Sequence, residues 1–175
     1  MINEIPTALN NFEIYDEDAK RLLGIVDAQL PELNQITAEI SGSGLGGKIE
    51  MPITGQFESL ELGLTWRTIY ERPLRLMQPH GKIISLRGAV QNYDAGSGQI
   101  KIDALRVDCR ILSKGLNLGK FTAAEQMESE STFTVDYIKI SINDRAYLEI
   151  DFFNYKFIVD GVDYMSDVRS ALGLN

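Results

Sequence analysis

The chain has 175 residues, 44% of them hydrophobic and 24% charged, enough for one domain with a sizeable core. Its 25 acidic residues outnumber 17 lysines and arginines, for a formal net charge of -8. That balance argues against a protein that grips nucleic acid through its phosphates, which needs concentrated positive charge, although it leaves room for a surface that nucleic acid merely passes.

Residues Ile2 to Asn11 read as an irregular lead-in, and Phe12-Glu13-Ile14-Tyr15 as a short strand ended by the polar turn Asp16-Glu17-Asp18. Leu22 to Leu30 is a second strand, closed by Pro31. A long polar segment follows, Leu33 to Gln56, with the glycine-rich stretch Ser41 to Lys48 at its centre. Gly42, Gly47 and Lys48 match a phosphate-cradling loop, G-x-x-x-x-G-K, but the next residue is Ile49 where that loop needs a hydroxyl for magnesium. Ile49 to Gly55 is also extended and broken by Pro52, whereas a phosphate loop must open a helix. The segment therefore reads as a projecting β-hairpin arm that orders against a partner. Gly42, Gly44, Gly46 and Gly47 form its tip, and Leu33, Ile40, Leu45, Ile49, Met51 and Ile53 its apolar contacts.

Phe57 to Arg67 alternates with period two: Leu60, Leu62, Leu64 and Trp66 on one side, Glu61, Gly63 and Thr65 on the other. Trp66 reads as core. A short helix interrupted or started at Pro73 follows, then His80 in a turn. Lys82 to Asn92 and Gln99 to Ser113 form a hairpin across Asp94 to Gly98, and the apolar phase of the second strand changes after Ile102, which predicts a bulge near Ala104. Cys109 lies in this strand, and as the single cysteine it reads as a small buried hydrophobe with no intrachain disulfide.

Lys114 to Glu130 is a connection with an acidic run. Ser131 to Ile142 is a long strand that changes phase between Tyr137 and Ile138, and Arg145 to Phe153 alternates again. A last extended segment, Tyr155 to Val159, leads to a short helix over Met165 to Leu172, capped by Ser166 and stopped by Gly173. The expected fold is mainly β, about seven strands in two packed antiparallel sheets or a partly open barrel, with one or two short helices and the long arm.

No metal-ligand cluster or paired nucleophile and base occurs, so the residues give enzyme action no support. No run of 18 apolar residues exists, which argues against a transmembrane helix and stable membrane insertion. Residues 1–6 lack the basic start and apolar core of a signal peptide, so synthesis in the cytoplasm is expected. A small-molecule-binding β-barrel is the rival reading, distinguished by a monomeric state.

The order and spacing of Leu22 to Pro31, Ser41 to Lys48, Pro52 to Gly55 and Leu60-Glu61-Leu62-Gly63-Leu64-Thr65-Trp66-Arg67 resemble the major tail tube proteins of contractile phage tails, and equally the tube proteins of R-type phage-tail-like bacteriocins. The resemblance covers nearly the whole chain. It implies a non-enzymatic protein that needs no cofactor and self-associates into stacked hexameric rings, four strands per subunit giving a continuous inner barrel. It also implies an arm that reaches neighbouring subunits, and partners in a contractile sheath, baseplate and tail terminator. The lumen would pass double-stranded DNA without specific binding in a phage, or ions in a bacteriocin, and release by lysis would place the particle outside the cell. A tube-forming component of a related secretion or injection system is the alternative. With the acidic charge, the polar strand faces suggest an acidic lumen, with Glu61, Asp103, Glu149 and Asp151 as candidate lining residues.

Overall fold

The structure is a computed structural model that describes residues 4–18, 20–42, 44 and 46–174. In chain order it forms β1 (Glu4–Tyr15), β2 (Ile25–Gln29), β3 (Gln35–Ile40), β4 (Ile49–Phe57), β5 (Leu60–Trp66), α1 (Glu71–Arg75), β6 (Lys82–Asp94), β7 (Gln99–Asn117), β8 (Ser129–Ile142), β9 (Arg145–Asp151), β10 (Lys156–Val159), β11 (Val162–Asp163) and α2 (Ser166–Leu172).

Two long strands hold the molecule together. β7 and β8 pair from Leu105–Ile142 to Asn117–Glu130. On its other side β8 pairs first with β5, through Ser129 to Val135, and then with β9, through Tyr137 to Ile142. One layer therefore runs β1-β6-β7-β8-β9-β10-β11, and β5 with β2 branches from β8 to make the other. The switch lies in β8: Arg110 faces Tyr137 but Ile111 faces Val135, so Asp136 is an extra residue. This bulge accounts for the phase change expected in that strand, because Phe133 and Val135 are buried before it and Ile138 after it. The sheet stays open, with β1 at one end of its path and β11 at the other.

The core fills the space between the layers. Leu60, Leu62, Leu64 and Trp66 are wholly buried, as the alternation predicts, and cluster with Ile84, Leu86, Val107, Cys109, Ile111 and Phe133. Each such side chain contributes about 1.5–3 kcal/mol by leaving water. The Trp66 Nε1–H donates to Ser131 Oγ at 2.9 Å, so the indole meets its polar need inside the core.

Several expectations need correction. The lead-in is not irregular: β1 starts at Glu4 and pairs with β6 to Tyr15, with register shifts between Pro6 and Ala8 and between Leu9 and Asn11. Those shifts interrupt the alternation that would mark a strand, and Pro6 is tolerated because β1 lies at an edge. The strand expected over Leu22 to Leu30 is only Ile25–Gln29. No bulge occurs at Ala104, since β6 and β7 stay in register from Lys82–Ile111 to Asp94–Gln99. The phase appears to change only because Ile100 and Ile102 sit exposed on the side opposite the buried Val107 and Cys109.

The chain has eleven strands among its described residues, more than the seven expected, because the arm and the C-terminal segment add short ones. In α1, Pro73 occupies the first turn, where its missing N–H has no intrahelical acceptor. Ser166 is the first residue of α2 rather than its cap; Met165 holds that place and no side chain caps the helix. Gly173 does end it, with φ 71°, and the Leu174 N–H returns to the Arg169 carbonyl at 2.9 Å.

Candidate functional site

β3 and β4 pair only with each other and form a separate two-stranded sheet. Ile40 faces Ile49 and Ala38 faces Met51, while Glu39 faces Glu50 and Thr37 faces Pro52. Facing residues share a side, and alternate residues along a strand return to it. One side of the arm thus gathers Ile36, Ala38, Ile40, Ile49, Met51 and Ile53, all exposed. The other carries Thr37, Glu39 and Glu50, with Lys48 ion-paired to Glu39 at 2.8 Å. A lone hairpin is marginally stable in water, and this one carries a contiguous apolar face that the rest of the chain leaves uncovered. Leu33 is exposed before β3. Ile36 and Ala38 were not among the expected contacts, although the alternation Ile36, Ala38, Ile40 is visible in the chain.

The arm is fixed at its root. Gly55 has φ +72°, and a Cβ there would overlap the Met165 side chain. Phe57 meets Phe157 edge to face with ring centroids 5.1 Å apart, and the Glu58 N–H donates to the Asn34 carbonyl at 2.9 Å. At the tip, Cβ atoms built on Gly42, Gly44, Gly46 or Gly47 would meet nothing within 4 Å. Leu45 lies outside the described residues. Ile49 opens β4, so no helix follows the glycines and the phosphate-loop match has no structural counterpart.

The four carboxylates proposed for a lumen do not converge. Glu61 lies on the exposed side of β5 and pairs with Lys114. Asp103 lies on the same side of β7 as Val107, half-buried, and accepts hydrogen bonds from Asn92 and Asn143. Glu149 and Asp151 lie on the side of β9 opposite the buried Ile150, across from Lys139 and Tyr137. That side continues over β6, β7 and β8 as a charged sheet face with Arg87, Arg106, Arg110 and Lys139 against Asp108, Asp136, Glu149 and Asp151. Arg106 pairs with Asp108 at 2.9 Å and Arg110 with Asp136 at 2.5 Å, while Arg110 reaches Asp151 at 3.6 Å.

Asp151 is itself buried. Burial alone would raise its carboxyl, but hydrogen bonds from the Asn154 side chain and backbone, the Arg110 charge and the Phe153 N–H outweigh it and hold the group below its ordinary value. Cys109 is inert: burial, with Asp108 beside it, pushes its thiol up to about 12. No group of His, Cys, Asp and Glu among the described residues has the arrangement of a metal site. His80 is exposed in a bend.

The family model described as Phage tail tube protein FII matches residues 6–173. The chain is 24% identical over 171 residues to the major tail tube protein of Serratia phage KSP20, covering 97% of this chain and 98% of that one. Among solved structures it is similar to a sheath/tube terminator of an extracellular contractile injection system, PVC, at 16% identity and a TM-score of 0.55, covering 78% of this chain and 97% of that one. It is also similar to a chain of the PVC sheath-tube complex, at 17% identity and a TM-score of 0.55, and to the tube-terminating cap of the anti-feeding prophage, at 17% identity and a TM-score of 0.58; each match covers 78% of this chain and 91% of the other. These likenesses are of fold. With the family match running from the first strand to the end of the last helix, the chain belongs to the phage tail tube protein FII family.

Proposed function

We propose that this chain is the repeating subunit of the rigid tube in a contractile particle, stacked as hexameric rings inside a sheath. Family membership makes it a structural protein rather than an enzyme. The observation that carries the finer reading is the arm, whose whole apolar side is left uncovered in one subunit. An exposed apolar patch of that kind marks a contact site, and a chain that repeats along a tube supplies the partner in another copy of itself. Two of the solved structures it resembles are described as a sheath/tube terminator and a sheath-tube complex of an extracellular contractile injection system, which supports a sheath as the outer partner; baseplate and terminator proteins complete the proposal as the partners at the two ends. Those likenesses favour an injection-type particle, while the sequence relative is a phage protein; the tube role is common to both.

The lumen is assigned to the charged face of β6 to β9, with Glu149 and Asp151 on it. Four basic and four acidic residues face each other there, so the wall carries paired charges in place of an acidic surplus. Such a wall holds no phosphate backbone and lets DNA or ions pass without specific binding.

Purified wild-type protein observed by electron microscopy and light scattering tests the reading. The expected result is tubes about 100 Å or less across, the scale of one ring of small domains. A stable monomer that takes up a small apolar ligand would overturn it in favour of a binding barrel.

A further inference from the structure

Between β7 and β8 the chain makes a closed loop, and its one aromatic residue, Phe121, is 96% exposed. The loop is built to hold that position. Its neck is closed by the Lys120 N–H donating to the Met127 carbonyl at 2.9 Å, and it is tied to the body by the Met127 N–H donating to the Arg67 carbonyl at 2.8 Å. Gly119, at φ +75°, permits the close approach, since a Cβ there would overlap the Met127 carbonyl. The loop thus holds an aromatic ring out in water at a fixed place, and aromatic side chains are the commonest anchors of protein contacts.

The position of this loop identifies the partner. Arg67, which ties it down, directly follows β5, whereas Phe57 at the arm root lies three residues ahead of the first residue of β5. The seven residues of β5 separate the two by roughly 20 Å. The apolar arm and the Phe121 loop therefore leave opposite poles of one layer. A two-fold contact closes on itself and stops; a head-to-tail contact sets the arm of one copy against the loop of the next and propagates. The chemistry agrees. Met51 and its neighbouring isoleucines suit an aromatic ring.

Resting on the tube reading, we propose that the Phe121 loop is the receptor for the apolar face of the arm of the next copy. The test uses full-length chain carrying Phe121→Cys and Met51→Cys together. Cys109 is buried with its thiol pushed up to about 12, so it does not compete. Mild oxidation of assembled protein should give a covalent ladder on a non-reducing gel, which neither single variant gives. Phe121→Ser should raise the concentration needed for assembly more than tenfold, with Phe121→Leu recovering part of it. Normal tubes with no ladder, or Phe121→Ser assembling like wild type, overturn the contact and leave the tube reading standing. Wild-type protein that never forms tubes overturns both.

Discussion

Gly55 stands where the arm meets the body, and two requirements meet at it. Its φ of +72° costs an L-residue roughly 1–2 kcal/mol, and any Cβ would also strike Met165, which is itself buried. Gly161 separates the two effects, because it has φ +84° but nothing within 4 Å of an added Cβ. Gly161→Ala should therefore lose about 1–2 kcal/mol in urea unfolding, and Gly55→Ala about 1–3 kcal/mol more as the core shifts around Met165. Equal losses would mean that the arm root does not bear on α2. This contact joins residues 110 positions apart in the chain, so nothing local in the sequence announces it. Trp66 is the opposite case: its burial follows from alternation over seven residues, and the structure has it wholly enclosed.

At the scale of elements, the readable strands are those with one wet and one dry side. β5 shows this best, and the change of phase in β8 was also legible, because the bulge at Asp136 moves buried residues from one parity to the other. β1 was not legible, since its shifts of register break the alternation and most of its residues are exposed. The exposed Ile100 and Ile102 misled for a related reason: apolar residues outside the core imitate a change of phase. The arm was read as a hairpin from its glycines and flanking isoleucines, and it is one. Its one-sidedness emerges only from the pairing of Ile40 with Ile49. That geometry yields a test. Ile40→Ser, Ile49→Ser and Met51→Ser together remove exposed apolar surface that the free subunit does not use, so urea stability should stay within about 0.5 kcal/mol of wild type, while sedimentation should show assembly abolished. A folded triple variant that still makes tubes would remove the arm from the assembly mechanism.

For the whole molecule, net charge was legible and its distribution was not. A chain of formal charge -8 nevertheless balances its charges on the face of β6 to β9, because cross-strand register sets Glu149 against Lys139 and ties Arg110 to Asp136. The same placement makes stability depend on pH at the base of the arm. The hydrogen bond from Arg169 to Asp163, at 2.6 Å, lowers that carboxyl against the opposing effect of burial, and the Met165 N–H bond and the Arg169 charge lower it further. Asp163 thereby holds α2 and Met165 beneath Gly55. A carboxyl lowered on folding stabilises the native state above its unfolded value, near 4, and loses that contribution as pH falls through the folded value. Asp163→Asn should cost about 1 kcal/mol at pH 7, since the pair is partly solvated, and lower Tm by roughly 2–4 °C. As pH falls below the ordinary carboxylate range the difference between variant and wild type should shrink toward zero, because the wild-type carboxyl becomes neutral too. Thermal unfolding from pH 7 to pH 2 reads this directly. A gap that stays constant over that range would mean that the Asp163 side chain acts through shape and hydrogen bonding rather than charge, and that acid does not loosen the root of the arm.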